Sequence, residues 1–146
     1  MTRLDARGYS LLELAIVIVV MGIGLAISVP AYRNYRESNS LKAATENIAG
    51  QLRLAREKAI STGSQEEIHF SPGYAGADYH IHNNGVVGAK WLLPSGVSFY
   101  YGVGTNWMYR MTKDGRCFDS GLIILQDSRG RRDTVSVQVS GLIITQ

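Results

Sequence analysis

The chain has 146 residues and a formal net charge of +3 at pH 7, so it is long enough for one domain with a modest hydrophobic core and too short for two. The mildly basic balance is compatible with anionic partners but indicates none by itself. A single cysteine, Cys117, excludes an internal disulfide, and no Cys/His spacing typical of zinc sites is present. The sequence therefore indicates that packing stabilises the fold.

The first element in chain order is an apolar segment near the N-terminus. Leu11 to Val29 approaches the roughly 20 apolar residues that a membrane-spanning helix needs, with Glu13 as its only charge. Pro30 follows without the Ala-x-Ala pattern of a secretory cleavage site, which disfavours an ordinary signal peptide. Arg3 and Arg7 precede the segment and favour a cytoplasmic N-terminus. We therefore expect a single-pass helix whose C-terminal side points outward.

Within this segment, Glu13 requires an explanation of its own. A charged side chain deep in hydrocarbon costs roughly 2.5 to 3.5 kcal/mol on insertion scales, so we expect a partner for it. The alternative is a carboxylate near the lipid headgroups that reaches water and has no further role. Gly22, Gly24 and Pro30 also allow two interpretations, namely close helix packing in lipid or a helix weakened enough to stretch in an assembly.

The residues around Glu13 resemble the class III signal of type IV pilins and pseudopilins. The matching order is Arg7-Gly8-Tyr9-Ser10-Leu11-Leu12-Glu13, followed by the apolar run that ends at Pro30. This resemblance implies that a membrane-embedded prepilin peptidase cleaves between Gly8 and Tyr9 on the cytoplasmic side and that the amine of Tyr9 is then methylated. Phe is usual in the family at the position of Tyr9.

The same resemblance implies an assembly role for Glu13 and Pro30. Glu13 would be the fifth residue of the mature chain, where the family pairs this carboxylate with the N-terminal amine of a neighbouring subunit. An unpaired carboxylate is costly in a low dielectric and a matched pair is not, so the pairing would favour one register between subunits.

Beyond Pro30 the sequence predicts an amphipathic continuation of the same helix. Apolar residues recur at three- and four-residue steps, whereas Arg53, Arg56, Glu57 and Lys58 lie largely off this stripe. The stripe consists of Leu41, Ala44, Ile48, Leu52, Ala55 and Ala59. Gly63 is a natural C-terminal stop. One helix from about Ser10 to Thr62 would be roughly 80 Å long at 1.5 Å per residue.

From Glu66 onward, short β-branched or aromatic segments predict antiparallel strands. The segments are EEIHF (66–70), DYHIH (78–82), GVSFYYG (96–102), NWMYRM (106–111), GLIILQ (121–126), TVSVQVS (134–140) and LIIT (142–145). Hairpin signals occur at Asn84-Gly85, Asp114-Gly115, Arg129-Gly130 and Ser140-Gly141. The predicted fold class is α+β, with a leader at 1–8, a transmembrane or filament-core helix at 9–30, an amphipathic helix at 31–63 and a globular β domain at 64–146.

Two further segments resemble the H-type minor pseudopilins and the FimT/FimU minor pilins. These are Gln51 to Phe70, which contains an L-x-x-AR-x-x-A pattern at the helix end, and the closing strands from Lys113 to Gln146. The missing cysteine pair departs from close FimU relatives. The resemblance leaves open a subunit of a type II secretion pseudopilus and a minor pilin of a type IV pilus.

The family resemblance also implies partners and a location. The partners would be other pilins or pseudopilins, the prepilin peptidase, an inner-membrane assembly platform and secreted cargo. The chain would lie in the bacterial inner membrane with a periplasmic C-terminal domain and would enter a filament. No cofactor is implied.

The histidines form a candidate metal site that we expect to be incomplete. His80 and His82 alternate along a strand and share a face, so they could bind a metal if a third ligand approached. No third ligand is visible in the sequence, and His69, opposite in phase to Ile68 and Phe70, is expected to face outward. The sequence therefore predicts no metal site.

The remaining reactive side chains do not form a catalytic set. Cys117 is expected to be a partly buried, idle thiol, since no base can be placed beside it. Glu66 and Glu67 fall on opposite faces of a strand and do not make an acid/base pair. We therefore expect no enzymatic activity.

A basic cluster at Arg129, Arg131 and Arg132 supports the alternative of DNA binding for uptake. FimT-type minor pilins carry a C-terminal Gly-Arg-x-Arg element, which Gly130-Arg131-Arg132-Asp133 matches only in part. Asp133 stands where the second Arg would be, and surface charge runs are usually just solvated. The sequence therefore favours a structural role over DNA binding.

Overall fold

The computed structural model describes residues 10–74, 76–83, 85–100 and 107–146. The leader at 1–8 and Tyr9 lie outside these residues. The described chain contains one helix, α1 (Leu11–Thr62), followed by eight strands. Contacts divide the chain into two units, Met1–Arg36 and Glu37–Gln146. The predicted α+β class, a long N-terminal helix and a C-terminal antiparallel β domain, is confirmed.

The part of α1 in the first unit is apolar and exposed. The large apolar side chains of its described residues from Leu11 to Val29 are all at least 46% exposed. By length and composition this N-terminal stretch can cross a membrane. Pro30 lies inside the helix, so the predicted continuation through this residue is confirmed. No described residue of this unit covers these side chains, so they stay exposed in the isolated chain.

The part of α1 in the second unit buries the predicted stripe. All six stripe residues are at most 6% exposed, and Thr45 and Ala49 are buried beside them. The Thr45 hydroxyl donates to the carbonyl oxygen of Leu41 at 3.0 Å, which satisfies a polar group inside the core. The helix ends at Thr62, and Gly63 follows with φ of 66°. Both the stripe and the stop signal are confirmed.

Eight strands form two antiparallel sheets of four strands each. They are β1 (Glu66–His69), β2 (Tyr79–Asn83), β3 (Val86–Trp91), β4 (Val97–Phe99), β5 (Met108–Met111), β6 (Gly121–Asp127), β7 (Arg132–Val137) and β8 (Ile143–Thr145). The first sheet has the order β3-β2-β1-β5 and the second the order β4-β6-β7-β8. Each segment predicted as a strand overlaps one of these elements, although β2, β6 and β7 extend beyond the predicted bounds.

The strand that the sequence analysis missed is β3. Its side chains are mostly exposed, because β3 lies at an edge of the first sheet, so its sequence lacks the apolar alternation of a half-buried strand. The Asn84-Gly85 hairpin signal was the available indication. Asn83 pairs directly with Val86 across this turn, although Asn84 itself lies outside the described residues. A hairpin turn requires a second strand, and β3 supplies it.

One hydrophobic core joins both sheets to the second part of α1. Phe70, which follows β1, illustrates the connection. Its ring lies 5.7 Å from that of Tyr79 and 5.9 Å from that of Tyr109 in the first sheet, and 5.7 Å from that of Phe99 in the second. Tilted and offset contacts of this kind are favourable for aromatic rings. The aromatic cluster therefore links the two sheets.

Two predicted turns meet beside α1. The Nε–H of Arg56 donates to the carbonyl oxygen of Gly115 at 2.7 Å. Gly141 adopts φ of 78°, and a Cβ atom on it would overlap that same carbonyl oxygen. Gly130, in the turn between β6 and β7, has nearly the same φ of 77° but open space around it. Of Gly130 and Gly141, only Gly141 needs the absence of a side chain for the close approach of another turn as well as for its backbone conformation.

These two glycines provide a matched stability test. Gly130→Ala should lower the free energy of unfolding by about 1 kcal/mol, from the left-handed backbone alone. Gly141→Ala should lower it by about 3 kcal/mol, since the added methyl group also displaces the Gly115 turn. Urea denaturation of both variants measures the difference. Equal losses would show that the two turns do not depend on their close approach.

Candidate functional site

The N-terminal motif places Glu13 in the first turn of α1. Ser10 precedes the helix, and its hydroxyl oxygen accepts the backbone N–H of Glu13 at 3.2 Å, while its carbonyl oxygen accepts the N–H of Leu14. A Ser followed three residues later by Glu is the sequence pattern of a helix-capping box. A carboxylate here also interacts favourably with the helix dipole. Glu13 therefore has a local role that the sequence analysis missed.

The described residues do not include the predicted processing site, Gly8 and Tyr9. Cleavage between these residues, methylation of Tyr9 and the assembly role of Glu13 and Pro30 therefore stay predictions. Glu13 itself is exposed in the isolated chain.

Each arginine of the predicted basic cluster has an intramolecular partner. Arg129 Nε lies 2.8 Å from an oxygen of Glu37, and Arg131 Nε lies 2.6 Å from an oxygen of Asp127. The guanidinium of Arg132 lies 3.6 Å from the ring centre of Tyr100, a cation–π contact. The three arginines lie at or next to the turn between β6 and β7, and two of the three charges are paired with carboxylates.

Asp127 organises the turn between β6 and β7. Its carboxylate accepts the backbone N–H groups of Arg129 and Arg131, both at 2.9 Å, besides the side chain of Arg131. Burial by itself raises the pKa of Asp127, but the hydrogen bonds from Arg131 and Arg129 and the charge of Arg131 outweigh it and lower the pKa. The sequence shows Asp127 only as an acidic residue that flanks the basic cluster. In the structure it determines the turn.

Arg110 of β5 forms an ion pair of the same kind. Its Nε–H and Nη2–H donate to the two oxygens of Asp119 at 2.8 and 3.0 Å. Hydrogen bonding to Arg110 lowers the pKa of Asp119. Near the arginine turn, a groove of about 510 Å³ is lined by Glu46 and Asp133 as well as by Lys42, Arg131 and Arg132. The surface is therefore mixed in charge.

The lowered pKa of Asp127 predicts a pH-dependent stability contribution. A carboxyl whose pKa is lower in the folded state stabilises that state above its unfolded pKa of about 3.9 and loses this contribution as the pH falls through the folded value. Asp127→Asn should therefore be less stable than the wild type at pH 7, and the gap should close below about pH 4. Urea denaturation between pH 7 and pH 3 measures it.

Asp114→Asn provides the control, since Asp114 is exposed in another turn and Asn before Gly suits a turn equally well. It should change stability by less than about 0.5 kcal/mol at each pH. A gap between wild type and Asp127→Asn that stays constant down to pH 3 would contradict the role assigned to the ionised carboxylate.

The three histidines of the chain lie together on one face of the first sheet. The pairing of β1 with β2 places His69 opposite His80. The rings of His69 and His82 stack with centres 4.3 Å apart, and Nε2 of His80 lies 2.9 Å from Nε2 of His82. Candidate ligand atoms of all three lie within 4.8 Å of one another. The expectation that no third ligand approaches His80 and His82 is therefore wrong.

The physical reason for this correction is strand register. His69 faces away from the core, as its phase predicts, but this is also the face of His80 and His82. Sequence alone does not tell which strand lies beside β1 or which residues are opposite. His80 is 1% exposed. Burial lowers the pKa of His80, and the neighbouring His82, His69 and Lys90 lower it further.

The other residues singled out from the sequence have structural surroundings. Cys117 is buried more deeply than predicted, and its thiol donates to the carbonyl oxygen of Asp119 at 3.0 Å. Burial raises the pKa of Cys117, which favours the unreactive thiol form. Glu66 is buried and Glu67 is half-buried on the opposite face, as predicted. The Glu66 carboxylate lies 2.9 Å from Lys58 Nζ and accepts an amide N–H of Asn83.

Comparison with known proteins identifies the N-terminal motif. Residues 3–29 match the family described as the prokaryotic N-terminal methylation motif. The chain is similar to type IV pilins and pseudopilins. Type IV pilins are structural proteins.

The chain is similar in sequence both to a pilus subunit and to a secretion-system protein. It is 33% identical over 101 residues to the type IV major pilin protein PilE1 of Neisseria gonorrhoeae, which covers 63% of this chain and 61% of PilE1. It is 33% identical over 70 residues to the type II secretion system protein H of Xanthomonas campestris pv. campestris, which covers 48% of this chain and 41% of that protein. The chain thus spans less than two thirds of either relative.

The fold of the pilin-like protein also matches a solved structure. It superposes on the crystal structure of the type IV minor pilin FimU of Pseudomonas aeruginosa with a TM-score of 0.60 and 16% identity, over 77% of this chain and 92% of that one. At this identity the likeness concerns the fold alone. The N-terminal hydrophobic helix with its methylation motif is consistent with an inner-membrane pilin.

Proposed function

We propose that this pilin-like protein is an H-type minor pseudopilin, a structural subunit that primes or caps the periplasmic pseudopilus of a type II secretion system. The observation that carries the proposal is the exposed apolar segment from Leu11 to Val29 with the single carboxylate of Glu13 in it. Such a segment needs a bilayer or neighbouring helices around it. The 33% sequence identity over 70 residues with a type II secretion system protein H supports the choice of a type II secretion system.

The processing and location follow from the same motif. The prepilin peptidase cleaves between Gly8 and Tyr9, the chain spans the inner membrane with its C-terminal domain in the periplasm, and it then enters the filament. Its partners are other pseudopilins, the assembly platform and secreted cargo.

A second candidate is a FimU-like minor pilin of a type IV pilus. The specific observation in its favour is the 33% identity over 101 residues with the type IV major pilin protein PilE1. Both candidates use the same membrane segment and the same assembly chemistry, and they differ in the machine that the subunit joins.

DNA binding is less favoured for either candidate. Phosphate contacts would have to compete with Glu37 for Arg129 and with Asp127 for Arg131. Two of the three arginines are already paired with a carboxylate, Arg129 with Glu37 of α1 and Arg131 with Asp127. The electrostatic attraction for a polyanion is therefore weak.

Processing can be tested at the junction of Gly8 and Tyr9. Intact-mass analysis of membrane-extracted protein should show a mature chain that begins at Tyr9 with a methyl group on its amine. Gly8→Arg should leave the full-length precursor, whereas Tyr9→Phe, which restores the residue usual in the family, should be processed like the wild type. A wild-type chain that begins after Pro30 would contradict the proposal.

The assembly role of Glu13 can be separated from its capping role by two variants. Glu13→Leu removes both the charge and the acidic residue of the capping-box sequence pattern, whereas Glu13→Gln removes only the charge, since Gln also fits that pattern. Both should insert into the membrane at least as well as the wild type, because a charge is removed from hydrocarbon. Both should fail to enter filaments, as measured by crosslinking to partner subunits.

Protein secretion and surface piliation of strains that carry these variants identify the machine. Loss of secretion alone supports the pseudopilin, and loss of surface pili alone supports the minor pilin. Normal assembly of Glu13→Gln with failure of Glu13→Leu would assign Glu13 to helix capping and remove the charge-pairing role.

A further inference from the structure

We propose that His69, His80 and His82 form a binding site for one divalent transition-metal ion of the zinc class. The site is independent of the filament role, since it lies on the outward face of the first sheet in the β domain. The chain has three histidines in total, and all three lie in this cluster.

Strand pairing brings the three side chains together from two segments. His80 and His82 alternate on β2 and therefore project to the same face, and His69 on β1 is directly opposite His80. The register between β2 and β3 shifts between His80 and His82, and Gly88 of β3 approaches the carbonyl oxygen of Ile81 at this point. Bulges of this kind often re-aim side chains next to functional sites.

The distances fit three imidazole ligands around one ion. Nitrogen ligands of zinc lie about 2.0 Å from the metal, so tetrahedral ligand atoms are about 3.3 Å apart. Nε2 of His80 and Nε2 of His82 are 2.9 Å apart, and the candidate ligand atoms of all three residues lie within 4.8 Å. The largest separation exceeds the tetrahedral spacing by about 1.5 Å, so binding would require the rings to move closer through their side-chain torsions.

The imidazole of His80 is buried and oriented. His80 is 1% exposed, and its Nε2 is the nitrogen that faces His82. Its Nδ1 has no hydrogen-bond partner among the described residues, so a metal at Nε2 would leave Nδ1 to a water molecule. The ring is also held in place, because it stacks against Tyr74 with centres 5.0 Å apart. A buried, oriented imidazole is well suited to ligate a metal.

The charged groups on the same face complete the site. Glu67 Oε2 lies 3.2 Å from Nε2 of His69, and its other oxygen accepts an amide N–H of Gln65 at 2.7 Å. A carboxylate that holds a histidine ring is the usual support of a metal ligand. Lys90, opposite His80 on β3, is the opposing positive charge. Glu67 offsets that charge and positions His69.

Three histidines with an adjacent carboxylate define the class of ion. Imidazole ligands suit zinc, copper and nickel, whereas magnesium and calcium prefer oxygen. A fourth position is open to water or to a side chain of a partner. The bound ion would tie β1 to β2 in a chain whose single cysteine cannot form an internal disulfide.

The test uses the full-length protein in detergent without a histidine tag, stripped with a chelator and titrated with Co²⁺ and Zn²⁺. One ion per chain should bind, and Zn²⁺ should raise the melting temperature, since a ligand of the folded state stabilises it. His69→Gln and His82→Gln should each weaken binding at least about 100-fold, and Glu67→Gln about tenfold. Glu57→Gln, which removes an exposed carboxylate of α1, should leave the affinity unchanged.

Far-UV circular dichroism checks that the variants fold. His69 and His82 are substituted because they are only half-buried, whereas His80 is buried and its substitution would disturb packing. X-ray absorption of the zinc-loaded wild type provides a readout without any substitution, with three nitrogen ligands expected at about 2.0 Å. Absence of saturable binding up to about 1 mM metal, unchanged affinity in both histidine variants, or coordination by oxygen alone would each overturn the proposal.

Discussion

The packing of a stripe of small residues on α1 against two sheets is the constraint on which the β domain depends. Ala44, Ala49, Ala55 and Ala59 are almost fully buried, and their short side chains let the sheets approach the helix closely. Ile48 and Leu52, both inaccessible to solvent, fill the space between them. Because protein interiors are close-packed, a larger residue at an alanine position would force the sheets apart. The turns that meet over Arg56 rely on the same close approach.

Two buried carboxylates of the β domain are held by charged and polar partners. Oε1 of Glu66 contacts Lys58 and Asn83, so Glu66 connects the end of α1 to β1 and β2, while its Oε2 has no hydrogen-bond partner among the described residues. Asp127 closes the turn between β6 and β7. A buried carboxylate is tolerated only where charge and hydrogen bonds compensate its lost hydration. These carboxylates therefore constrain their surroundings, and Arg131, which Asp127 engages, is less available to an outside anion.

Glu13 and the histidines are polar groups whose surroundings are incomplete among the described residues. Glu13 lies in the first turn of α1, where the Ser10 hydroxyl accepts its backbone N–H. The described part of its unit contains no core around the apolar segment, so the assembly role proposed for the carboxylate depends on molecules outside the chain. The histidine cluster brings three imidazole rings together, with candidate ligand atoms within 4.8 Å of one another. In both places we infer a binding partner.

The sequence by itself determined the features that arise from local periodicity and local backbone chemistry. These include the helix through Pro30, its buried stripe, its stop at Gly63, seven of the eight described strands, and the turns at Gly115, Gly130 and Gly141, because each depends on residues a few positions apart. Only the tertiary structure decided which distant residues meet. It placed β3 at an exposed edge where no apolar pattern is needed, His69 opposite His80, and Glu37 beside Arg129. Register and long-range charge pairing depend on how the sheets close over the helix, and no short stretch of sequence contains that information.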